Sequence, residues 1–216
     1  TFDLWIELLE AVFPGQSRVD AAAVRSYSQE KLKLIRDRVG ALPAAQKKRI
    51  LFLFTYDADR IVTSGRNFFG QYWCDAVGGV NVAEGVQAKH SNAMISMEQI
   101  YAWNPDVVFV TNFTPAQPED VLQSKRHDWS QVKAVKEGKV YKMPLGVYRS
   151  YTPGIDTPVT LLWLAKKTYP EAFADIDLAR EIRAYYKRIF NVDLTDAQIE
   201  RITNPKGSIA KGFKPV

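Results

Sequence analysis

Cysteine is almost missing from this sequence: Cys74 is the one cysteine in 216 residues. That excludes an internal disulfide framework and any cysteine-based zinc or iron–sulfur site. Histidine is nearly as scarce, with His90 and His127 alone, which argues against a poly-histidine metal site. No apolar run approaches the roughly 18 residues needed to span a membrane. Internal repeats and low-complexity segments are absent. Glycine-rich signatures are missing too. The loop 56–67, after the first strongly apolar run, holds a single glycine, so it is neither a dinucleotide fingerprint nor a P-loop. Ser64-Gly65 lacks the flanking glycine of a nucleophile elbow.

What is present is an ordinary globular composition. Apolar residues make up 46%, aromatics 12% and charged residues 25%, which supports a core and excludes wholesale disorder. The length suits one large domain or two small ones. Lys plus Arg exceeds Asp plus Glu by 29 to 24, giving +5. The basic clusters Lys47-Lys48-Arg49 and Lys125-Arg126-His127 are short and far apart, as solvated surface is, and do not form a nucleic-acid footprint. An anionic small ligand is easier to reconcile with isolated arginines near aromatics. The chain opens Thr-Phe-Asp-Leu-Trp, without initiator Met, basic leader or cleavage motif. The expectation is a processed start or a piece of a longer protein.

Apolar spacing predicts a short helix over 2–13, broken by Pro14-Gly15, and one long helix over 18–42. Val24, Tyr27, Leu32, Ile35, Val39 and Leu42 form its stripe, Ser17 is the expected cap with Asp20 in the first turn, and Gly40 and Pro43 mark its end. Such a helix would be about 36 Å long and suits a surface or a junction between lobes. The run 50–55 reads as a buried parallel strand, followed by a polar loop over 56–67. A helix over 67–77 ends at Gly78-Gly79, and 81–83 is a short strand. Met97 to Trp103 forms a helix capped by Ser96, and the turn Asn104-Pro105-Asp106 enters strand 107–110. Helix follows near 118–124, strand over 140–143, helices over 156–168, 176–190 and 195–203, and an extended tail over 208–216. This alternation is an α/β domain with a mainly parallel sheet and helices on both faces.

Three segments in order carry a resemblance. They are ThrSerGlyArgAsnPhePheGlyGlnTyrTrpCysAspAlaValGlyGlyValAsnValAla (63–83), IleSerMetGluGlnIleTyrAlaTrpAsnProAspValValPheVal (95–110) and TrpSerGlnValLysAlaValLysGluGlyLysValTyrLysMetPro (129–144). Together they resemble the C-terminal half of class III periplasmic substrate-binding proteins, the cobalamin, siderophore and haem-binding partners of ABC importers. The resemblance implies two α/β lobes joined by a rigid helix, with ligand in the cleft. Residues 1–17 would then end the N-terminal lobe, 18–42 would be the inter-lobe helix and 43–216 the C-terminal lobe, with the N-terminal lobe itself absent from this sequence. It implies no catalysis and no resident cofactor, the ligand being an iron-siderophore, haem or cobalamin-type metal chelate. It also implies an ABC importer permease as partner, and a periplasmic or lipid-anchored extracytoplasmic location in a bacterium or archaeon. Glu98 matches a surface glutamate that docks on the permease, although an exposed acid at a helix start is also favourable on its own. The alternatives are a metal-cofactor enzyme or chelatase on a related two-lobed fold, a molybdate or tungstate-type oxyanion-binding protein, or a single-lobe sensory module.

In a parallel α/β sheet ligands sit outside the carboxyl ends of the strands. Those ends carry Tyr56, Arg60, Arg66 and Asn67 in the first loop, Asn112 and Phe113 in the second, and Tyr148, Arg149 and Tyr151 in the third. Arginines among aromatics suit a flat or bulky anion. The plainer reading is that the aromatics pack the lobe and the arginines are solvated. The ligand-binding expectation comprises Tyr56, Arg60, Arg66, Asn67, Asn112, Arg149 and Tyr151, with Tyr56, Arg149 and Tyr151 close together on one open face. Phe68, Trp73, Trp5, Trp103, Trp129 and Trp163 read as packing, Asp57 and Asp59 as turn formers, and His90 and His127 as surface residues. The sequon Asn112-Phe113-Thr114 reads as a chance match.

Overall fold

A computed structural model describes residues 8, 11, 12, 20–87 and 92–206. Leu8, Ala11 and Val12 are helical, but most of the expected helix over 2–13 lies outside the described residues, as do Trp5, Ser17, His90 and the tail 208–216.

The first fully described element is α1, Ala21–Val39, an unbroken helix shorter than the sequence pattern suggested. Its N-cap is Asp20, whose carboxylate accepts the Ala23 N–H at 2.9 Å, so Asp20 caps the helix instead of standing within its first turn. Arg36 and Arg38 occupy the last turn, where positive charge complements the helix dipole, and Gly40 is the C-cap. The buried stripe of Val24, Ile35 and Val39 lies against the lobe. Buried Lys31 bridges Glu30 at 2.7 Å and Glu181 at 3.0 Å, and Arg38 grips Asp175 with two bonds of 2.6 and 2.8 Å.

Four parallel strands form the central sheet: β1 (Arg49–Leu53), β4 (Val80–Asn81), β6 (Val107–Val110) and β7 (Val140–Lys142), in the order β4-β1-β6-β7. Leu51 pairs with Val108, and Val108 with Val140. The three expected strands thus share one parallel sheet. Ile50, Leu51, Phe52 and Leu53 are all buried, as are the four residues of β6, because helices cover both faces. Ile50, Phe52, Val107 and Phe109 pack on one side with α1, α2 (Phe69–Ala76) and α6 (Thr157–Thr168). Leu51, Leu53, Val108 and Val110 pack on the other with Ile100, Trp129 and Val132. Trp73, Trp129 and Trp163 are buried as expected, and Phe68 and Trp103 are partly buried against the two clusters. The remaining helices are α3 (Met97–Trp103), α4 (Pro118–Leu122), α5 (Lys133–Lys136), α7 (Leu178–Phe190) and α8 (Asp196–Thr203).

Segment 56–67 departs from expectation. Instead of a loop, it forms most of a small antiparallel sheet of β2 (Thr55–Tyr56), β3 (Ile61–Ser64) and β5 (Asn92–Met94). The β-branched run Ile61-Val62-Thr63 supplies the strand. Asp57 turns the hairpin, its Oδ1 accepting the Asp59 and Arg60 N–H groups at 3.0 and 2.8 Å.

Helix α3 begins with a capping box between Ser96 and Gln99 and ends at Asn104 in the left-handed region, φ 39°. Asp106 then fastens the entry to β6. Its carboxylate accepts the Arg49 N–H at 2.8 Å and the Lys133 ammonium at 2.6 Å. Burial disfavours its ionised form, but the Arg49 N–H and Lys133 outweigh burial and hold the carboxyl below its usual range. A depressed folded pKa contributes stability that is present above the unfolded value and is lost as pH falls through the folded one. Asp106→Asn is therefore expected to cost about 1–2 kcal/mol at pH 7. In urea titrations across pH, that deficit is expected to shrink below about pH 4; a deficit unchanged at pH 3 would refute this role.

Candidate functional site

The carboxyl edge of the parallel sheet is built from the turns that follow β1, β6 and β7. Phe54 and Phe113 leave neighbouring strands and stack with ring centroids 4.9 Å apart, and Phe68 meets Phe54 edge-on at 5.8 Å. All three are partly buried and pack against the core cluster as one aromatic patch. Arg149 lies over it, its guanidinium carbon 4.8 Å from the Phe113 centroid. The Arg149 Nε is buried and has no hydrogen-bond partner among the described residues.

The turn carrying Arg149 is held from several directions. Leu145 and Arg149 form an antiparallel bridge, and the Leu145 N–H donates to the Ile202 carbonyl at 2.8 Å. The Thr152 N–H donates to the Arg149 carbonyl at 3.0 Å. Asn112, fully buried, donates through Nδ2 to the Met143 carbonyl at 2.9 Å and accepts from the Ser150 hydroxyl at 3.3 Å. Asn112 thus ties the second loop to the third, with both ends of its amide engaged inside the lobe.

The expectation that Tyr56, Arg149 and Tyr151 share an open face needs correction. Tyr151 is 0% exposed, with Phe52, Phe54, Phe68, Phe69 and Phe113 around its ring. Its hydroxyl lies 3.3 Å from Ser64 Oγ, its carbonyl accepts the Trp73 indole N–H at 2.8 Å, and burial pushes the phenol far up. Tyr56 is 5% exposed and belongs to the opposite core cluster. Its hydroxyl accepts the Trp129 indole N–H at 3.0 Å and donates to the Asp120 carbonyl at 3.4 Å. Tyr56 does form part of the wall of a separate groove of about 520 Å³, together with Pro115, Ala116, Glu119, Lys125 and Arg126. The Thr114 hydroxyl accepts the Tyr56 N–H at 3.4 Å and donates to the Tyr56 carbonyl at 3.0 Å, fastening the start of the second loop to the first. His127 is partly buried, with its ring 5.6 Å from that of Tyr56 and Nε2 3.1 Å from the Asp57 carbonyl. It is therefore more enclosed than a surface histidine.

Arg60 and Arg66, the other two arginines of the ligand-binding expectation, are exposed and paired. Arg60 meets Asp57 at 2.8 Å, and Arg66 meets Glu84 at 2.7 Å. Asn67 is exposed just ahead of α2, whose N-cap residue Phe68 offers no side-chain cap. Glu98 is exposed in the first turn of α3, where the Ser96 hydroxyl and a backbone N–H hold its carboxyl below the usual range.

Sequence reasoning missed two buried charges behind this edge, Lys142 and Asp156. The available signal was a lysine inside the apolar run Val-Tyr-Lys-Met and an aspartate just before Thr-Pro at a helix start. The Lys142 ammonium donates to the carbonyls of Thr111, Thr114 and Ala116 at 2.8, 2.6 and 2.8 Å, and so gathers the whole second loop around one charge. Among the described residues, no group of three or more His, Cys, Asp or Glu side chains is placed to hold a metal ion, and no helix is long and apolar enough to cross a membrane.

The fold is thus an α/β lobe, a parallel sheet with loops at its carboxyl edge and a long helix along its side. Residues 19–145 match the periplasmic binding protein family, and the chain belongs to that family. It is similar to a periplasmic solute-binding protein from Veillonella parvula, with 30% identity and a TM-score of 0.80 over 93% of this chain and 59% of the other. It is also similar to Helicobacter pylori CeuE solved with Ni-His, with 28% identity and a TM-score of 0.72 over 94% of this chain and 61% of the other. The molybdate-binding protein MolA of Haemophilus influenzae is 28% identical over 192 residues, which are 86% of this chain and 50% of MolA. The chain thus spans about half the length of that curated relative.

Proposed function

We propose that this chain is the C-terminal lobe and joining helix of the solute-binding component of an ABC importer, taking an oxyanion of the molybdate or tungstate class. The observation that carries the reading is Arg149, a cation stacked on Phe113 with an unpartnered Nε on a tightly held turn. A guanidinium fixed in this way presents donors to an anion with little reorganisation. The molybdate-binding relative favours an oxyanion over the iron-siderophore, haem or cobalamin ligands that head the sequence reading. The Ni-His complex of CeuE supports a second reading, a small nickel chelate. Arg60, Arg66 and Asn67 are the other expected candidates with solvent-exposed side chains. Residues 18–42 would join this lobe to an N-terminal partner lobe, with ligand held between the two. Function would be capture and delivery without catalysis, outside the cytoplasmic membrane, with Glu98 docking on the permease.

Calorimetric titration of the full-length natural protein tests the site, using molybdate, tungstate, Ni-histidine, a ferric siderophore, haem and cobalamin in turn. Arg149→Ala is expected to weaken binding of the preferred ligand by about 1.5–3 kcal/mol. Parental affinity in this variant would remove Arg149 from the site. In the same protein Glu98→Arg is expected to leave affinity intact and slow uptake into cells, since a reversed rim charge repels its partner; uptake at the parental rate would leave Glu98 as a helix-start residue only.

A further inference from the structure

Asp156 stands at the N-cap position of α6 but makes no side-chain cap bond to that helix. An aspartate there ordinarily accepts from the first turn. This carboxylate, 6% exposed, turns back to the loop that carries Arg149. Its Oδ2 accepts the N–H groups of Val147 and Tyr148 at 2.6 and 3.4 Å, and its Oδ1 accepts the Tyr186 hydroxyl at 2.9 Å. The bridge between Leu145 and Arg149 closes the turn, so the amides bound by Asp156 lie at its tip, directly before Arg149. The side chains at that tip, Val147 and Tyr148, are 56% and 53% exposed and give it little packing. The approach beneath the turn is tight: a Cβ at Gly146 would lie 2.4 Å from Tyr186 Oη and 2.5 Å from Asp156 Oδ2. Tyr186 belongs to α7, whose neighbouring Tyr185 meets Tyr27 of α1 edge-on at 5.2 Å. A buried acid therefore links an exposed turn to the helical layer of the lobe.

We propose that Asp156 is a positioning residue for ligand binding, fixing the 145–149 turn and so aiming the Arg149 guanidinium without touching the ligand. This rests on the reading of Arg149 as a ligand contact. Without the carboxylate, two tip amides lose their acceptor and the turn samples more conformations, so ligand binding must order it.

The test uses the full-length natural protein with sodium molybdate as the probe, and combines calorimetry with amide hydrogen exchange at Val147 and Tyr148. Asp156→Ala is expected to weaken molybdate binding about tenfold or more and to speed exchange at both amides, with the circular dichroism of the fold retained. Asp156→Asn keeps an oxygen for the turn amides and is expected to return both readouts toward the parent. If Asp156→Ala does not fold, Tyr186→Phe carries the test: it removes one of the bonds that orient the carboxylate and is expected to weaken binding about two- to fivefold with faster exchange. Parental binding in the folded Asp156→Ala protein, or in Tyr186→Phe where that variant carries the test, overturns the proposal while leaving Arg149 in place. Weakened binding with unchanged exchange at Val147 and Tyr148 overturns it as well. If the parent does not bind molybdate, or Arg149→Ala binds it as the parent does, the ligand reading fails and the proposal falls with it.

Discussion

Replacing Lys142 by methionine is expected to cost about 3–4 kcal/mol of folding stability, read from the urea midpoint and slope. Methionine keeps most of the stem volume but no donor. It would leave the carbonyls of Thr111, Thr114 and Ala116 facing an apolar side chain. Burial pushes the Lys142 ammonium down to about 7, with the charge of Asp120 opposing it. Carbonyl oxygens at 2.6–2.8 Å are the groups that offset this desolvation. The damage is expected to spread to ligand affinity, because the same loop carries Phe113, on which Arg149 stacks. A loss below about 1 kcal/mol would mean that water replaces the ammonium at all three carbonyls.

Truncating Tyr151 to alanine is expected to cost about 3–5 kcal/mol, the range for emptying an aromatic site in a closed core. Its ring is fully buried among five phenylalanines, so little can collapse into the space without breaking their mutual packing. Tyr151→Phe keeps the ring and loses the hydroxyl's contacts, to Ser64 at 3.3 Å and to the Gly70 backbone, and is expected to cost about 1 kcal/mol. It is also expected to leave molybdate binding unchanged. Abolished binding in the phenylalanine variant would show that the hydroxyl reaches the ligand, and that the enclosed position of the ring is not its bound position.

The elements most legible in the sequence were those with both a hydrophobic signal and a stop. Val107–Val110 is a continuous apolar run behind the Asn-Pro-Asp turn, and Met97–Trp103 begins at a serine with glutamine three residues on. Both formed as read, and so did the order of elements that carried the family resemblance. The hairpin over 55–64 was hidden because Asp57, Asp59 and Arg60 made its tip look like an irregular polar loop, and they masked the β-branched run after it. Site residues were harder for a geometric reason. A position just beyond a strand's carboxyl end identifies the edge, but not the side of the sheet that the side chain takes. Phe54 and Tyr56 lie two residues apart, yet Phe54 joins the aromatic patch and Tyr56 joins the cluster across the sheet, because the chain has already entered the small antiparallel sheet. Asn112, Lys142 and Asp156 were opaque for the complementary reason: a polar letter does not show whether its partner is solvent or a carbonyl folded over it from another loop.

The docking of α1 also ties distant parts of this chain to one another. Its two long-range ion pairs span most of the lobe: 150 residues separate Lys31 from Glu181, and 137 separate Arg38 from Asp175. The helix bearing Val24, Ile35 and Val39 is therefore fastened by both pairs only once residues 175–181 are in place. A chain cut before residue 175 would lose both long-range ion pairs of the helix at once.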